Sequence, residues 1–356
     1  MSRNIRPTLL FLLLAISLAA SVRASACAVV TPHSQGNGVQ IATESAIIIW
    51  DSASKTQHFI RRAEFKSDVK DFGFLVPTPT KPTLAEADDE AFTTLGKITE
   101  PVTVTQKLPS GGGGCGCSGA APKAGGNVQD VAEVRVLEEK RVAGHDAAVL
   151  EADNAKSLNA WLKEHGYVSR PELEAWLEPY VKAGWKITAF KIAKKESGEK
   201  EVATTALRMS FQTEQPFFPY REPAEQRKEA QVVWPRLLRV YFLSDKRMDG
   251  VLKDQTRWPG QTVWADEIKP ADREKVLELL KMPPQTAPST WWLTEFEDRA
   301  SPRPGTDDVV FSVADKQGKI ARPPRIVYVQ SSLPGCVMCC AIVMYLGVTF
   351  LIRRFK

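Results

Sequence analysis

The sequence predicts an α+β body of mixed, mostly antiparallel sheets that carries a helical hairpin over about 153–184. Three observations point there. Stretches with strand spacing and stretches with helix spacing are intermixed, without the regular alternation of a parallel α/β fold. Two neighbouring helical stretches are separated only by the short Gly166-Tyr-Val-Ser169 connection. A hydrophobic fraction of 43% beside 25% charged residues suits a packed globule.

Taken in order, Val39 to Trp50 ends in the apolar run Ala46-Ile-Ile-Ile-Trp50, which suits a strand buried on both faces. Asp51 to Ser54 is a turn, and Gln57 to Lys66 is the returning partner of a hairpin. Asp71 to Pro79 is a short strand stopped by prolines, which have no N–H for the ladder. Over Pro82 to Ile98, Leu84, Ala87, Ala91, Phe92 and Leu95 keep helical spacing, with Asp88, Asp89 and Glu90 on the wet face. Val102 to Lys107 is another strand. Residues 109–127 are rich in glycine and offer almost no side chain to bury, which predicts a flexible loop dividing the body into 27–108 and 128–332.

Beyond the loop, Val128 to Glu138 and His145 to Leu150 read as strands joined across Ala143-Gly144. Asp153 or Asn154 caps a helix with Leu158, Trp161, Leu162 and His165 on one stripe. Ser169 caps a second, with Leu173, Trp176, Leu177 and Tyr180 on one face, which Pro179 should kink or shorten. Trp185 to Lys194 and Glu201 to Gln212 read as a hairpin around Glu196-Ser-Gly-Glu199. Pro216 to Pro223 is an aromatic loop, Gln231 to Leu243 a core strand and Pro270 to Met282 a third clear helix. Trp291 to Leu293, Val309 to Val313 and Arg325 to Gln330 are late strands.

The two ends predict location. Met1 to Pro7 carries Arg3 and Arg6, Thr8 to Ala20 is apolar, and Ala24-Ser-Ala26 is a small-residue cleavage site, so 1–26 reads as a secretory signal peptide. Leu333 to Ile352 contains no charge and is followed by Arg353, Arg354 and Lys356. At a helical rise of about 1.5 Å, roughly 20 residues reach across a hydrocarbon core of about 30 Å. Residues 333–352 therefore read as one transmembrane helix and 353–356 as a basic cytoplasmic tail, which leaves the body on the outer side. The membrane is then a partner through this helix. A net charge of +5 spread over the whole chain argues against a nucleic-acid binder, which would gather its cations on one face.

The stretches Cys27-Ala-Val-Val, Ala46-Ile-Ile-Ile-Trp50, Asp71-Phe-Gly-Phe-Leu-Val-Pro-Thr-Pro79, Ser157-Leu-Asn-Ala-Trp-Leu-Lys-Glu-His-Gly-Tyr167, Tyr180-Val-Lys-Ala-Gly-Trp185 and Leu207-Arg-Met-Ser-Phe211, with the later Phe218-Pro-Tyr220, resemble the bacterial exported domain-of-unknown-function family numbered 2330. The likeness runs from about Cys27 to beyond Tyr220. It implies a signal peptide paired with a C-terminal hydrophobic tail, and it implies no activity.

Candidate chemistry is sparse. The six cysteines avoid the body: Cys27 opens the mature chain, Cys115 and Cys117 sit in the glycine loop, and Cys336, Cys339 and Cys340 lie at the outer lip of the span. A disulfide-stapled scaffold is thereby disfavoured. Cys27 could carry a lipid or bridge to Cys115 or Cys117. Cys115-Gly-Cys117 supplies two thiolates where a closed zinc site needs four ligands, so a disulfide or free thiols are favoured over a metal. The Cys336 cluster is either a sorting or lipid-attachment signal or small polarizable residues packing in the span. The sequence contains no Gly-x-Ser-x-Gly, His-Glu-x-x-His or Walker glycine loop. His165 reads as a packing or capping residue, and His33 and His58 have no evident partner. No cofactor is expected. Nine tryptophans, with Trp291-Trp292 and the Phe217, Phe218 and Tyr220 loop, offer recognition aromatics for an envelope polymer or protein, although core packing is the commoner fate of such residues. A non-enzymatic envelope binding module is the leading expectation. An envelope hydrolase or thiol or metal enzyme is the alternative.

Overall fold

The computed structural model describes residues 29–30, 39–67, 71–108, 134–167, 171–193, 205–224, 237–286, 288–300 and 303–330. In chain order these form β1 (Val29–Val30), β2 (Val39–Asp51), β3 (Thr56–Ser67), β4 (Asp71–Thr78), β5 (Thr83–Glu86), α1 (Glu90–Ile98) and β6 (Thr103–Leu108). There follow β7 (Val134–Val142), β8 (His145–Ala152), α2 (Ala155–Glu164), α3 (Pro171–Lys182), β9 (Lys186–Ala193), β10 (Leu207–Gln212) and β11 (Phe217–Phe218). The remainder is β12 (Leu237–Ser244), β13 (Met248–Leu252), β14 (Gln261–Glu267), α4 (Pro270–Leu279), β15 (Trp292–Asp298), β16 (Val309–Val313) and β17 (Arg325–Gln330). The fold is α+β, mostly sheet, and its strand pairs are antiparallel except for β2 with β12 and β6 with β17.

The chain divides into two units, one of Met1–Glu100 with Ala120–Ala321 and one of Pro101–Gly119 with Arg322–Lys356. The first holds a seven-stranded sheet ordered β14-β15-β12-β2-β3-β10-β5, a five-stranded sheet ordered β1-β4-β9-β8-β7 and a three-stranded sheet ordered β11-β16-β13. The second holds the parallel pair of β17 and β6.

Alternation along β2 explains the layering of the first unit. Ala46, Ile48 and Trp50 join Phe59, Val240 and Phe242 on one face, which packs against Phe74 and Phe190 of the five-stranded sheet and Phe218 and Phe311 of the three-stranded one. Ile47 and Ile49 point the other way, against Ala91, Phe92 and Leu95 of α1 and Val276 and Leu277 of α4. The outer face of the five-stranded sheet is covered by α2 and α3 through Leu158, Leu162, Leu173 and Leu177. From Ala46 to Trp50 β2 is therefore buried on both faces, as its unbroken apolar run predicts, and each of Ile47, Ile48 and Ile49 contributes about 1.5–3 kcal/mol by leaving water.

Several expectations are corrected. The helix expected from Pro82 begins only at Glu90, because Thr83–Glu86 pairs with β10, and Glu90 N–H donates to Asp88 Oδ1 at the new start. Leu84 fits either period, and sheet pairing decides it. β4 runs through Pro77 to Thr78: β1 reaches only Gly73 and Phe74, so the edge beside Pro77 has no partner in the described sheet that needs its missing N–H. α3 likewise continues through Pro179 to Lys182, and the chain leaves it with Gly184 at positive φ and Trp185 N–H donating to Tyr180 O. β9 and β10 do not form a hairpin. β9 lies between β4 and β8, while β10 lies between β3 and β5 in the other sheet.

Other expectations hold. Asn154 caps α2 by accepting from Ser157 N–H at 2.7 Å, and Ala143-Gly144, both at positive φ, turn β7 into β8. Among the described residues no helix is long and apolar enough to cross a membrane. The expected signal peptide, the glycine loop and the span over 333–352 lie outside them.

Gly73 marks a close crossing of the five-stranded sheet and α2's exit. A methyl group there would come within 2.5 Å of both Phe190 O and Tyr167 Cε1. Gly73→Ala is expected to lower stability by about 1–3 kcal/mol through overpacking. Urea unfolding measures it, and an unchanged midpoint would show that the strands separate freely.

Candidate functional site

Where β2 enters the core it carries a buried charge, Glu44, and the chain gathers ionisable groups around it. Leu238 of β12 pairs with Glu44 on one side and with Asp298 of β15 on the other, so the two carboxylates share a face and a row. With strands about 4.8 Å apart, their backbones stand about 10 Å from each other. Arg303, in the segment leading to β16, spans this gap: its Nη1 lies 3.6 Å from Glu44 Oε2 and its Nε lies 3.9 Å from Asp298 Oδ2. Arg61 pairs with Ala46 one row along, and its Nη2 lies 3.2 Å from Glu44 Oε1. All four are buried.

Three further groups complete the cluster. Tyr220 donates its hydroxyl to Asp298 Oδ2 at 2.6 Å, and burial followed by the adjacent Asp298 charge holds its proton well above the ordinary tyrosine range. Glu222 is buried beside it, its N–H donating to Gly305 O. The Arg61 guanidinium lies 4.8 Å from the centre of the Phe74 ring. Next to it His145, fully buried, donates from Nδ1 to Ala143 O at 2.8 Å. Burial lowers its pKa, and Arg61 adds to the effect.

The cluster thus sets three carboxylates, Glu44, Asp298 and Glu222, against two guanidiniums, in the seam between the sheets. Its electrostatics are those of a buried ion network, in which removal of one partner strands the others without water. No group of three or more His, Cys, Asp or Glu side chains among the described residues is placed to hold a metal.

A second polar group lies on the helix-covered side of the seven-stranded sheet. His58 and Ser210 face each other across β3 and β10 and share an Nδ1–Oγ hydrogen bond of 2.8 Å. That is the separation of a nucleophile from its base. Burial, with Arg208 nearby, pushes the imidazole down to about 4, which keeps it neutral at pH 7 and makes it a weak proton acceptor. Arg208 itself donates to Leu280 O and Lys281 O at the end of α4, where the helix dipole is negative. The sequence hid this partner, since 152 positions separate the two residues.

Of the expected recognition aromatics, Phe217, Phe218, Tyr220 and Trp291 are core residues and Trp292 is half-buried. Phe217 is fixed by Gln57, which donates to its carbonyl and accepts from its N–H, both at 2.9 Å. His165 closes α2, donating to Trp161 O and stacking 3.7 Å from the Trp161 ring. Cys27, Cys115, Cys117, Cys336, Cys339 and Cys340 lie outside the described residues.

Fold and cluster together define an α+β domain of stacked sheets closed by a buried charge network. The chain belongs to the family described as uncharacterized protein conserved in bacteria (DUF2330), whose model matches residues 21–312. No curated protein matches it. Among solved structures it is similar to the crystal structure of baculovirus P35, at 6% identity and a TM-score of 0.36 over 78% of this chain and 97% of that one, too slight a likeness to bear on function.

Two measurements test the site. Glu44→Leu should cost about 3–5 kcal/mol by leaving Arg61 and Arg303 without their shared carboxylate; a loss below about 1 kcal/mol in denaturant unfolding would show that the network is idle. The second concerns pH. Tyr180 donates to Asp308 Oδ1 at 2.8 Å, and burial raises Asp308 from 3.8 to about 6, so the folded state holds this proton more tightly and stability falls as pH rises from about 4 to 6. His58, lowered from 6.5 to about 4, acts oppositely: the unfolded chain takes the proton first, so stability falls as pH drops from about 6.5 to 4. His58→Gln should steepen the decline with rising pH, and Asp308→Asn should reverse it. Equal slopes of urea midpoint against pH in both variants would refute the assignment.

Proposed function

We propose that the protein is an exported, membrane-anchored interaction module of the bacterial cell envelope, whose body serves to bind an envelope polymer or protein and performs no catalysis. The observation that carries the anchored topology is the division of the chain. A many-layered body ends by Ala321, and a separate parallel ribbon then leads, through Gln330, to the uncharged run Leu333 to Ile352 and its terminal cations. The binding role is favoured by the engagement of the body's buried ionisable groups with one another: Glu44 with Arg61 and Arg303, Asp298 with Tyr220, Asp308 with Tyr180.

The hydrogen-bonded His58 and Ser210 favour a second reading, a hydrolase with a serine nucleophile. A fluorophosphonate probe separates the two: covalent labelling lost in Ser210→Ala would establish the hydrolase. For the topology, protease added to intact spheroplasts is expected to digest the body and spare only the membrane segment and tail. Full protection of the body would refute an outward orientation.

A further inference from the structure

Two guanidiniums of the Glu44 cluster are buried without closing on their carboxylates. The side chains of Arg61 and Arg303 are 5% and 1% exposed, yet Nε, Nη1 and Nη2 of the first and Nε and Nη1 of the second have no hydrogen-bond partner among the described residues. The carboxylate oxygens they face stand 3.2 Å from Arg61 and 3.6 and 3.9 Å from Arg303. Elsewhere the chain closes such pairs with less incentive: Arg141 donates to Asp146 at 2.6 and 2.8 Å, and Arg299 to Glu297 at 2.7 Å, although both arginines are more than half exposed. Attraction between opposite charges strengthens as water is excluded, so a buried set with nothing between its members should be the tighter one. Long or poorly aligned separations suit a molecule shared between the groups instead. His145 adds a third buried group, set perpendicular to the Phe74 ring that Arg61 covers. Its Nδ1 donates to Ala143 O, which leaves Nε2 as an acceptor, and that nitrogen also has no partner among the described residues.

Chemistry and charge say what is shared. Guanidinium nitrogens only donate and the His145 Nε2 only accepts, so a molecule that answers both must offer a lone pair and an O–H proton. Glu44, Asp298 and Glu222 already outnumber the two guanidiniums by one negative charge, and Tyr220 keeps its proton while donating to Asp298. A further anion would meet that excess in a medium that screens poorly, and a metal ion would meet the donor hydrogens of both arginines. An uncharged hydroxylic molecule meets neither penalty. We infer that the seam binds internal water as a fixed part of the Glu44 network, seated against the Arg61 and Arg303 nitrogens and against His145 Nε2. Such a water accepts from a guanidinium at about 2.9 Å and returns its protons to a carboxylate or to the imidazole, which gives it the two to four polar partners that a buried water requires.

A crystal structure of the full chain that shows ordered solvent tests this, together with a second crystal soaked in bromide. Peaks of single-oxygen size are expected about 2.7–3.2 Å from the nitrogens of Arg61 and Arg303, with no anomalous bromide signal at the same places. Guanidiniums drawn directly onto Glu44 and Asp298 with no density between them would overturn the inference. A bromide signal there would overturn it too, by assigning the place to an anion. In solution, oxygen-17 relaxation dispersion of the full chain in detergent counts slowly exchanging waters. Arg61→Met should lose about one or more of them relative to Arg141→Met, whose pair is closed and exposed. Equal counts in the two folded variants would refute the site, and the wild-type crystal decides the matter if Arg61→Met does not fold.

Discussion

Between Ala46 and Trp50 five consecutive side chains are buried, because β2 has sheets against one face and helices against the other. Such a strand can carry no charge along its middle without a partner brought to it. Two positions outward from Ala46, on the same face, Glu44 does carry one, and the surrounding chain answers it from far away in sequence. Arg61 comes from the returning hairpin strand, and Arg303 comes from the segment before β16, some 260 positions later. Closure of the charge at Glu44 therefore requires that β3, β15 and the Arg303 segment all be in place. The network makes the two halves of the seven-stranded sheet depend on each other.

The segment from Phe217 to Glu222 is where the layers meet. Its backbone pairs with β16, Gln57 of β3 holds Phe217, Tyr220 reaches Asp298 of β15, and Trp176 of α3 donates from Nε1 to Arg221 O. Asp308 adds Tyr180 of α3 and the N–H of Arg221 to the same junction. One short aromatic stretch thus links the outer helices to both inner sheets. Its aromatic richness reflects the number of surfaces it must satisfy.

Local chemistry made much of this fold legible. The apolar run of β2, the Asn154 cap, the Ala143-Gly144 turn and the stripes of α2, α3 and α4 each follow from neighbouring residues. What failed was partner choice. β9 and β10 have hairpin spacing but sit in different sheets, and Thr83–Glu86 was absorbed into a helix because Leu84 suits both periods. β13 and β14 carry little strand signal, because Met248–Leu252 and Gln261–Glu267 are short and only partly buried. The charge cluster was invisible for a related reason. Glu44, Arg61, Asp298 and Arg303 are ordinary surface residues by composition, and only register brings them to one row. His58 had lacked a partner because Ser210 is joined to it by sheet pairing alone.

The body and the ribbon solve the same problem in different surroundings. In the body, every large apolar side chain of β2 from Ala46 onward meets protein on its own face, and the hydrophobic gain is complete without any other molecule. In the ribbon, pairing satisfies the backbone groups between β6 and β17 but leaves Val102, Val104, Ile326, Val327 and Tyr328 exposed, on both faces of the pair. A parallel pair also lacks the short connection that stabilises a hairpin, since its strands must be brought together from positions more than 200 residues apart. Such an arrangement persists only if something adds to its stability from outside the pair.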